Sequence, residues 1–343
     1  MIEYRIYQIE IINKIIQSIQ SGLTRPLVVL PTAGGKTIIA AGLLNKLSSI
    51  YGPINSHIVV PFSNLKKQTQ ANLTNMGVSS RVHTYSGAIK LQPQTADILI
   101  CDEAHHAVSP SWQQVFDNIS TPIVCGLTGT PYRVDDCPLL EENGGVFTNL
   151  IDGPSIEELT KAGYLANLEY YSYPMRKIVT KEPFYLLNEY IGSIEKYTYT
   201  PETHEEDIVE EYQKSFANIP AVVFSRTKEH ADKIADKFNV VGIKANSINC
   251  YLPTHTKDQI INDFKSNKIQ ILTTVNMISE GFDMPQLKLA IMARPIKNSL
   301  TMFLQQIGRV LRIHNNETAK ILDLVGNIFS FGLPSKLLNQ EII

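Results

Sequence analysis

The sequence predicts an α/β protein built as two lobes, each a mostly parallel sheet covered by helices. Short apolar runs alternate with helical patterns along the chain, and the runs are apolar throughout their length. Strands buried on both faces read that way, as they do in parallel sheets with helices on either side. The alternation stops near residue 150 and resumes at Ala221, so the pattern is made twice. A length of 343 residues exceeds one ordinary core and suits two.

In chain order, Ile9, Ile12, Ile16 and Ile19 fall on one helical face ahead of the first strand. Leu27-Val28-Val29-Leu30 is a buried strand, and Ile38 to Leu47 behind it is a helix. Further strands are expected at Ile58-Val59-Val60, Ile98-Leu99-Ile100-Cys101 and Ile123-Val124-Cys125. In the second half, Ala221-Val222-Val223-Phe224, Ile269 to Val275, Ala290-Ile291-Met292 and Lys320 to Val325 are strands, with helices over 228–238, 256–266 and 299–311. Residues 175–207 are the least regular stretch, rich in acid and in tyrosine (Tyr185, Tyr190, Tyr197, Tyr199). The expected division is a first lobe over 1–165, a connector with a Tyr-rich insertion over 166–207, and a second lobe over 208–343.

Composition narrows the function classes. With 31 basic and 33 acidic side chains the formal net charge is −2, which excludes a protein that coats nucleic acid by bulk electrostatics. A polyanion partner would have to be gripped locally. A chain 43% apolar and 19% charged is globular rather than disordered or coiled-coil. No apolar run approaches the roughly 20 residues of a membrane span. Met1-Ile2-Glu3-Tyr4-Arg5 lacks the basic-then-apolar form of a signal peptide, so no membrane partner and a cytoplasmic location are expected. Cys101, Cys125, Cys137 and Cys250 form no CxxC pair, which argues against a zinc ribbon or a disulfide framework. Cys101 and Cys125 belong to apolar runs and read as buried small hydrophobes. The eight histidines are scattered, only His105-His106 being adjacent, which argues against a metal-hydrolase or nuclease centre.

Leu30-Pro31-Thr32-Ala33-Gly34-Gly35-Lys36-Thr37 joins the first strand to a helix, the setting of a phosphate loop. Glycines let backbone N–H groups close around phosphate oxygens, and the helix N-terminus adds its dipole. Lys36 would reach the β- and γ-phosphates and the Thr37 hydroxyl would ligate Mg²⁺. The strict pattern has glycine where this chain has Leu30, and a plain Gly-rich turn is the alternative reading. Asp102-Glu103-Ala104-His105 follows the strand ending at Cys101. Parallel sheets bind ligands at the C-terminal ends of their strands. Asp102 could hold Mg²⁺ through water there, with Glu103 orienting an attacking water.

The ordered set of motifs resembles a superfamily 2 helicase or translocase from Tyr4 to about Gly332. Arg5-Ile6-Tyr7-Gln8 resembles the adenine-reading motif, Pro31 to Thr37 motif I, and Val60-Pro61-Phe62-Ser63 to Gln68 motif Ia. Asp102 to His105 is similar to motif II in its DEAH form, and Thr128-Gly129-Thr130-Pro131 to motif III, with Gly129 where Ala is more usual. Val222-Val223-Phe224-Ser225 resembles motif IV, Glu280-Gly281-Phe282-Asp283 motif V, and Gln305 to Arg312 the QxxGRxxR of motif VI. RNA-processing DEAH proteins end motif VI in a Gly-Arg-Ala-Gly-Arg type sequence, whereas this chain has Gly308-Arg309-Val310-Leu311-Arg312. It looks closer to prokaryotic and phage DNA-repair helicases, RadD-like and UvsW-like, and to restriction-enzyme motor subunits. Leu322-Asp323-Leu324-Val325-Gly326-Asn327 is similar to a RadD-like signature, from which Phe329-Ser330-Phe331 departs.

The resemblance implies two RecA-like lobes with ATP between them. Arg5 and Gln8 would read adenine, while Tyr7 packs beside the base or in the core. Thr32, Ala33, Gly34, Gly35, Lys36 and Thr37 would hold phosphates, with Thr37 and Asp102 serving Mg²⁺. Gly281, Asp283 and Gln305 would complete the nucleotide site. Lys36, Glu103, Arg309 and Arg312 would carry catalysis, the two arginines sharing one helical face by their i, i+3 spacing. Arg312 reads equally as a surface arginine. Ser63, Asn64, Thr84, Ser225, Arg226, Thr273 and Thr274 are expected donors to nucleic-acid phosphates, and each reads equally as a loop or cap residue. Trp112 reads as core packing rather than base stacking. The implied activity is a nucleic-acid-stimulated ATPase, a monomeric minimal motor on single-stranded or branched DNA, used in repair, recombination or replication. An RNA helicase is the alternative, as is a binding module with a degenerate motor, which the intact Lys36, Asp102, Glu103, Arg309 and Arg312 speak against.

Overall fold

Each apolar run that reads as a strand forms one in the structure, a computed structural model describing residues 4–130, 138–172, 205–275, 284, 286–296, 299–314 and 317–332. These residues belong to two compact units, Met1–Leu159 with Ser299–Leu304, and Thr160–Asn298 with Gln305–Ile343. The first unit opens with the helix Ile6–Gln20, whose Ile11, Ile12, Ile15 and Ile16 are buried, each contributing roughly 2 kcal/mol. Its strands are β1 (Pro26–Val29), β2 (Ser56–Val60), β3 (Arg81–Thr84), β4 (Gln94–Thr95), β5 (Ile98–Asp102), β6 (Ile119–Ser120), β7 (Ile123–Thr128) and β8 (Asn149–Asp152). Six of them form one parallel sheet in the order β3-β2-β5-β7-β1-β8, and β4 pairs with β6 apart from it. Register sets Val29 beside Thr128 and Asp102 beside Leu127. The C-terminal ends of β1, β5 and β7 therefore form one edge.

The second unit contains β9 (Leu168–Ser172), β10 (Ala221–Phe224), β11 (Ala245–Ile248), β12 (Ile271–Thr274), β13 (Leu289–Met292) and β14 (Ala319–Asp323). They make a second parallel sheet in the order β11-β12-β10-β13-β14-β9. Its core joins Val223, Ile271, Leu289 and Ile291 of the strands to Tyr212, Ile234 and Phe238 of the helices Glu205–Ser215 and Lys228–Val240.

Four strands of the two six-stranded sheets, β3, β8, β9 and β11, are not legible as apolar runs: Arg-Val-His-Thr, Asn-Leu-Ile-Asp, Leu-Glu-Tyr-Tyr-Ser and Ala-Asn-Ser-Ile are short and mixed. All four lie at sheet edges, where one side carries polar groups. β9 falls inside the span expected as connector, yet it pairs with β14 from Leu168 to Ser172. The expected helix over 299–311 is only Leu300–Ile307, and residues 308–310 turn. Arg309 and Arg312 therefore lie beyond the helix and do not share a helical face. Residues 173–204, Cys137 and the motif V residues Gly281 and Asp283 lie outside the described residues. Cys101 and Cys125 are buried as expected. No helix among the described residues is long and apolar enough to cross a membrane.

Candidate functional site

The loop after β1 is shaped by close approaches that exclude side chains. Leu30 continues the pairing to Thr128 through its N–H at 2.9 Å, and Gly34 N–H turns back to the Pro31 carbonyl at 2.9 Å. A Cβ on Gly34 would stand 2.7 Å from Leu30 Cγ, and one on Gly35 2.6 Å from Gln8 Nε2. Gly35 has φ +88° and starts the helix Lys36–Tyr51, a geometry that suits glycine. Leu30, which replaces the first glycine of the strict pattern, is wholly buried, in space that Gly34 and Gly153 leave open. The departure is thus a packing change beneath the loop rather than a loss of it.

The helix Ile6–Gln20 reaches this loop from outside. Gln8 Oε1 accepts the Arg5 N–H at 3.0 Å, closing the helix start. The Tyr7 hydroxyl donates to the Gly34 carbonyl at 2.6 Å and accepts from Arg5 at 3.2 Å. Tyr7 is therefore buried in the core, the second of its two expected places, and meets the phosphate loop there.

The acidic motif meets the loop at the same edge. Lys36 Nζ lies 3.2 Å from Glu103 Oε1, both side chains being almost buried. Glu103 has φ +49°, a conformation that costs a non-glycine residue about 1–2 kcal/mol. His105 Nδ1 lies 3.0 Å from Thr128 Oγ1 and 3.5 Å from Glu103 Oε2. Because Thr128 gives its own proton to the Thr130 carbonyl at 2.8 Å, His105 Nδ1 is the donor in the first contact. Gly129 passes directly over the loop: a Cβ there would be 3.2 Å from Lys36 Nζ. Thr32, Ala33, Thr37 and Asp102 are half-buried along the same loop and strand end. The site offers an ammonium, a hydroxyl, a carboxylate and a backbone cradle, a donor set that fits a magnesium-bound polyphosphate.

In the second unit, Gln305 and Arg309 are buried and Arg312 is partly so. The Arg309 N–H closes a tight turn on the Gln306 carbonyl at 3.3 Å. Burial lowers the Arg312 guanidinium from its ordinary value. Of the phosphate-contact candidates, Ser63, Asn64 and Arg226 reach the surface at loop or helix starts. Thr84 caps a short helix by accepting Gly87 N–H at 3.1 Å. Thr273 is buried and its hydroxyl is committed to the Ala231 carbonyl at 2.8 Å, which serves the fold and leaves nothing for a phosphate. Ser225 and Thr274 are buried with hydroxyls that meet no protein partner. Trp112 is core, stacked on Tyr85 with centroids 5.3 Å apart.

Residues 1–90 and 80–133 match the family model of the type III restriction enzyme res subunit, and residues 204–314 that of the helicase conserved C-terminal domain. A 51.5 kDa protein of a Lactococcus phage (isolate 7-9) is 30% identical over 240 residues, 69% of this chain and 51% of its own length. The Saccharomyces cerevisiae protein named as ATP-dependent helicase Irc3 is 25% identical over 361 residues, 94% of this chain and 51% of its own. The chain thus spans about half the length of these curated relatives. A fragment assigned to an HsdR subunit of a type I restriction enzyme from Vibrio vulnificus superimposes with a TM-score of 0.72 at 20% identity, covering 99% of this chain and 67% of that one. The type ISP restriction-modification enzyme LlaBIII, bound to DNA, does so with a TM-score of 0.67 at 16% identity, covering 94% of this chain and 28% of that one.

Proposed function

We propose that this chain, a superfamily 2 helicase related to type I and type III restriction motor subunits and to Irc3 helicases, is an ATP-dependent DNA motor. It couples ATP hydrolysis to movement on single-stranded or branched DNA, or to remodelling of it, in repair, recombination or replication. The motif VI run Gly308-Arg309-Val310-Leu311-Arg312 and the Leu322–Asn327 signature support a place beside RadD-like and UvsW-like helicases. The observation that carries the reading is the ion pair of Lys36 with Glu103 at 3.2 Å, which joins the phosphate loop to the acidic strand end.

In this reading Arg5 and Gln8 hold the adenine, and the loop from Thr32 to Thr37 holds the phosphates. Thr37 and Asp102 would hold Mg²⁺, which would neutralise phosphate charge when bound. Lys36 leaves Glu103 for the γ-phosphate. Glu103, so released, orients water for in-line attack. Arg309 and Arg312 meet the charge that develops, with Gly281, Asp283 and Gln305 completing the nucleotide contacts. Ser63, Asn64, Thr84 and Arg226 would contact the nucleic-acid backbone, whereas the wholly buried Ser225 and Thr274 hydroxyls are out of its reach; such contacts position the strand and do not read sequence. The match to the type III restriction enzyme res subunit supports DNA over RNA.

The test is ATPase turnover of the full chain alone, with single-stranded DNA, with forked DNA and with RNA of the same sequence. DNA should raise turnover by about tenfold or more, and RNA less. Equal rates in all four conditions would sink the DNA-motor reading, and preferential stimulation by RNA would replace it with an RNA motor.

A further inference from the structure

The Leu322–Asn327 signature takes no part in the site described above, and the structure gives it one of its own. Asp323 ends β14 and is wholly buried. Its Oδ2 accepts the Tyr170 hydroxyl at 2.8 Å and the Ile328 N–H at 2.9 Å, and its Oδ1 accepts the Val325 N–H at 3.2 Å. These bonds tie strand β9 to β14 and fold residues 323–328 into a closed turn, with Gly326 at φ +70°. The turn starts the helix Asn327–Phe331 and brings Asn327, also buried, against the segment that leaves β13. There Asn327 Oδ1 accepts the Ile296 N–H at 2.7 Å and Nδ2 donates to the Arg294 carbonyl at 3.1 Å. The Arg294 guanidinium in turn donates to the Val275 carbonyl at 3.3 Å, immediately after β12. One connected set of bonds therefore runs from Tyr170 through Asp323 and Asn327 to the exits of β13 and β12.

We infer that Asp323 and Asn327 are positioning residues for the ATPase step: they hold the Arg294–Ile296 segment, which feeds the helix Leu300–Ile307 and the Gln305–Arg312 run behind it. This rests on the reading of that run as part of the nucleotide machinery. Among the described residues Asn327 bonds both the Ile296 N–H and the Arg294 carbonyl, so removing it takes a partner from each of two backbone groups and lets the segment shift. A displacement of about 1 Å at a reacting centre costs up to about a hundredfold in rate. Tyr170 supplies a different part of the set. Its loss detaches β9 while Asp323 keeps both backbone donors.

The experiment compares N327A and Y170F in the full chain by thermal midpoint and by the kcat and KM of DNA-stimulated ATPase. N327A should lower kcat about ten- to hundredfold with KM for ATP within about twofold of wild type. Y170F should lower the thermal midpoint yet keep kcat within about twofold. Should N327A not fold, N327D keeps the acceptor for Ile296 and loses only the donor, and the same fall in kcat is expected. Normal kcat in the folded Asn327 variant overturns the inference, as does a loss of kcat in both variants that simply follows their loss of stability. An active wild type with an unaffected Asn327 variant overturns this inference alone. A wild type inactive with every nucleic acid overturns the functional reading and this inference with it.

Discussion

Asp102 and Asp323 both end a parallel strand at the C-terminal edge of a sheet, and the two edges are built in opposite ways. Asp102 is half-buried beside a loop under strain. Four described residues other than glycine have positive φ: Ala33, Glu103, Asn218 and Asn267. Asparagine tolerates that conformation in turns. Ala33 and Glu103 tolerate it poorly, and both belong to the first edge. At the second edge the positive φ falls on Gly326, Asp323 is wholly buried, and its carboxylate accepts three donors. Strain and partial exposure mark a place kept ready for a ligand, whereas saturation marks a place closed on itself. The aspartate alone distinguishes neither.

The most severe way to break this contrast is to remove the reactive carboxylate from the strained edge. E103Q keeps the shape and the contact with Lys36 but cannot act on water as a base. ATP binding should survive while turnover falls by about 10²–10⁴-fold, the usual range for a general base. Nucleotide affinity and single-turnover hydrolysis measure the two separately. Near-normal hydrolysis would leave the strain at Glu103 without a function.

A closed network in the first unit should answer through stability instead. His57, wholly buried in β2, has Nε2 3.3 Å from Arg81 and Nδ1 3.2 Å from His83 Nε2, with the two rings stacked. A guanidinium can only donate, so His57 accepts at Nε2 and gives its Nδ1 proton to His83. Burial, then His83 and Arg81, lower its pKa from 6.5 to about 4. The neutral form is the one the fold favours. Its stabilisation is complete above pH about 6.5 and is lost as the pH falls towards about 4. Urea midpoints at about pH 7 and about pH 4.5 should differ for the wild type and differ less in H57N. An unchanged acid limb in that variant would assign the loss to other groups.

The sequence was most legible where chemistry and pattern coincide. Continuous apolar runs announced β1, β2, β5, β7 and β10, and the phosphate loop and acidic tetrapeptide stood at the ends of two of them. What stayed hidden depends on contacts between distant residues. Nothing local tells that Leu-Glu-Tyr-Tyr-Ser is a strand, because its place beside β14 is decided by the buried bond from Tyr170 to Asp323. The helix bearing Gln305 stops at Ile307 although its apolar periodicity continues to Leu311, since Val310 and Leu311 are buried from a turn. Thr273 reads from the sequence as a phosphate donor. Its hydroxyl bonds a carbonyl of the helix Lys228–Val240, a partner the local sequence does not reveal.

The mildest test probes how much slack the strained edge holds. Gly129 follows β7, and a Cβ there would lie 3.2 Å from Lys36 Nζ, 3.4 Å from Thr32 Oγ1 and 3.8 Å from the Leu30 carbonyl. The tightest of these neighbours is the far end of a flexible side chain, so G129A asks the ammonium to give by a few tenths of an ångström. If the edge is kept open for phosphates, that small push falls on the group that must swing from Glu103 to the nucleotide. KM for ATP should then shift by about two- to fivefold, under about 1 kcal/mol, while the unfolding midpoint stays put. A fall in stability with KM unmoved would show Lys36 to be packed as firmly as Asp323, and the contrast between the two edges would fail at its own centre.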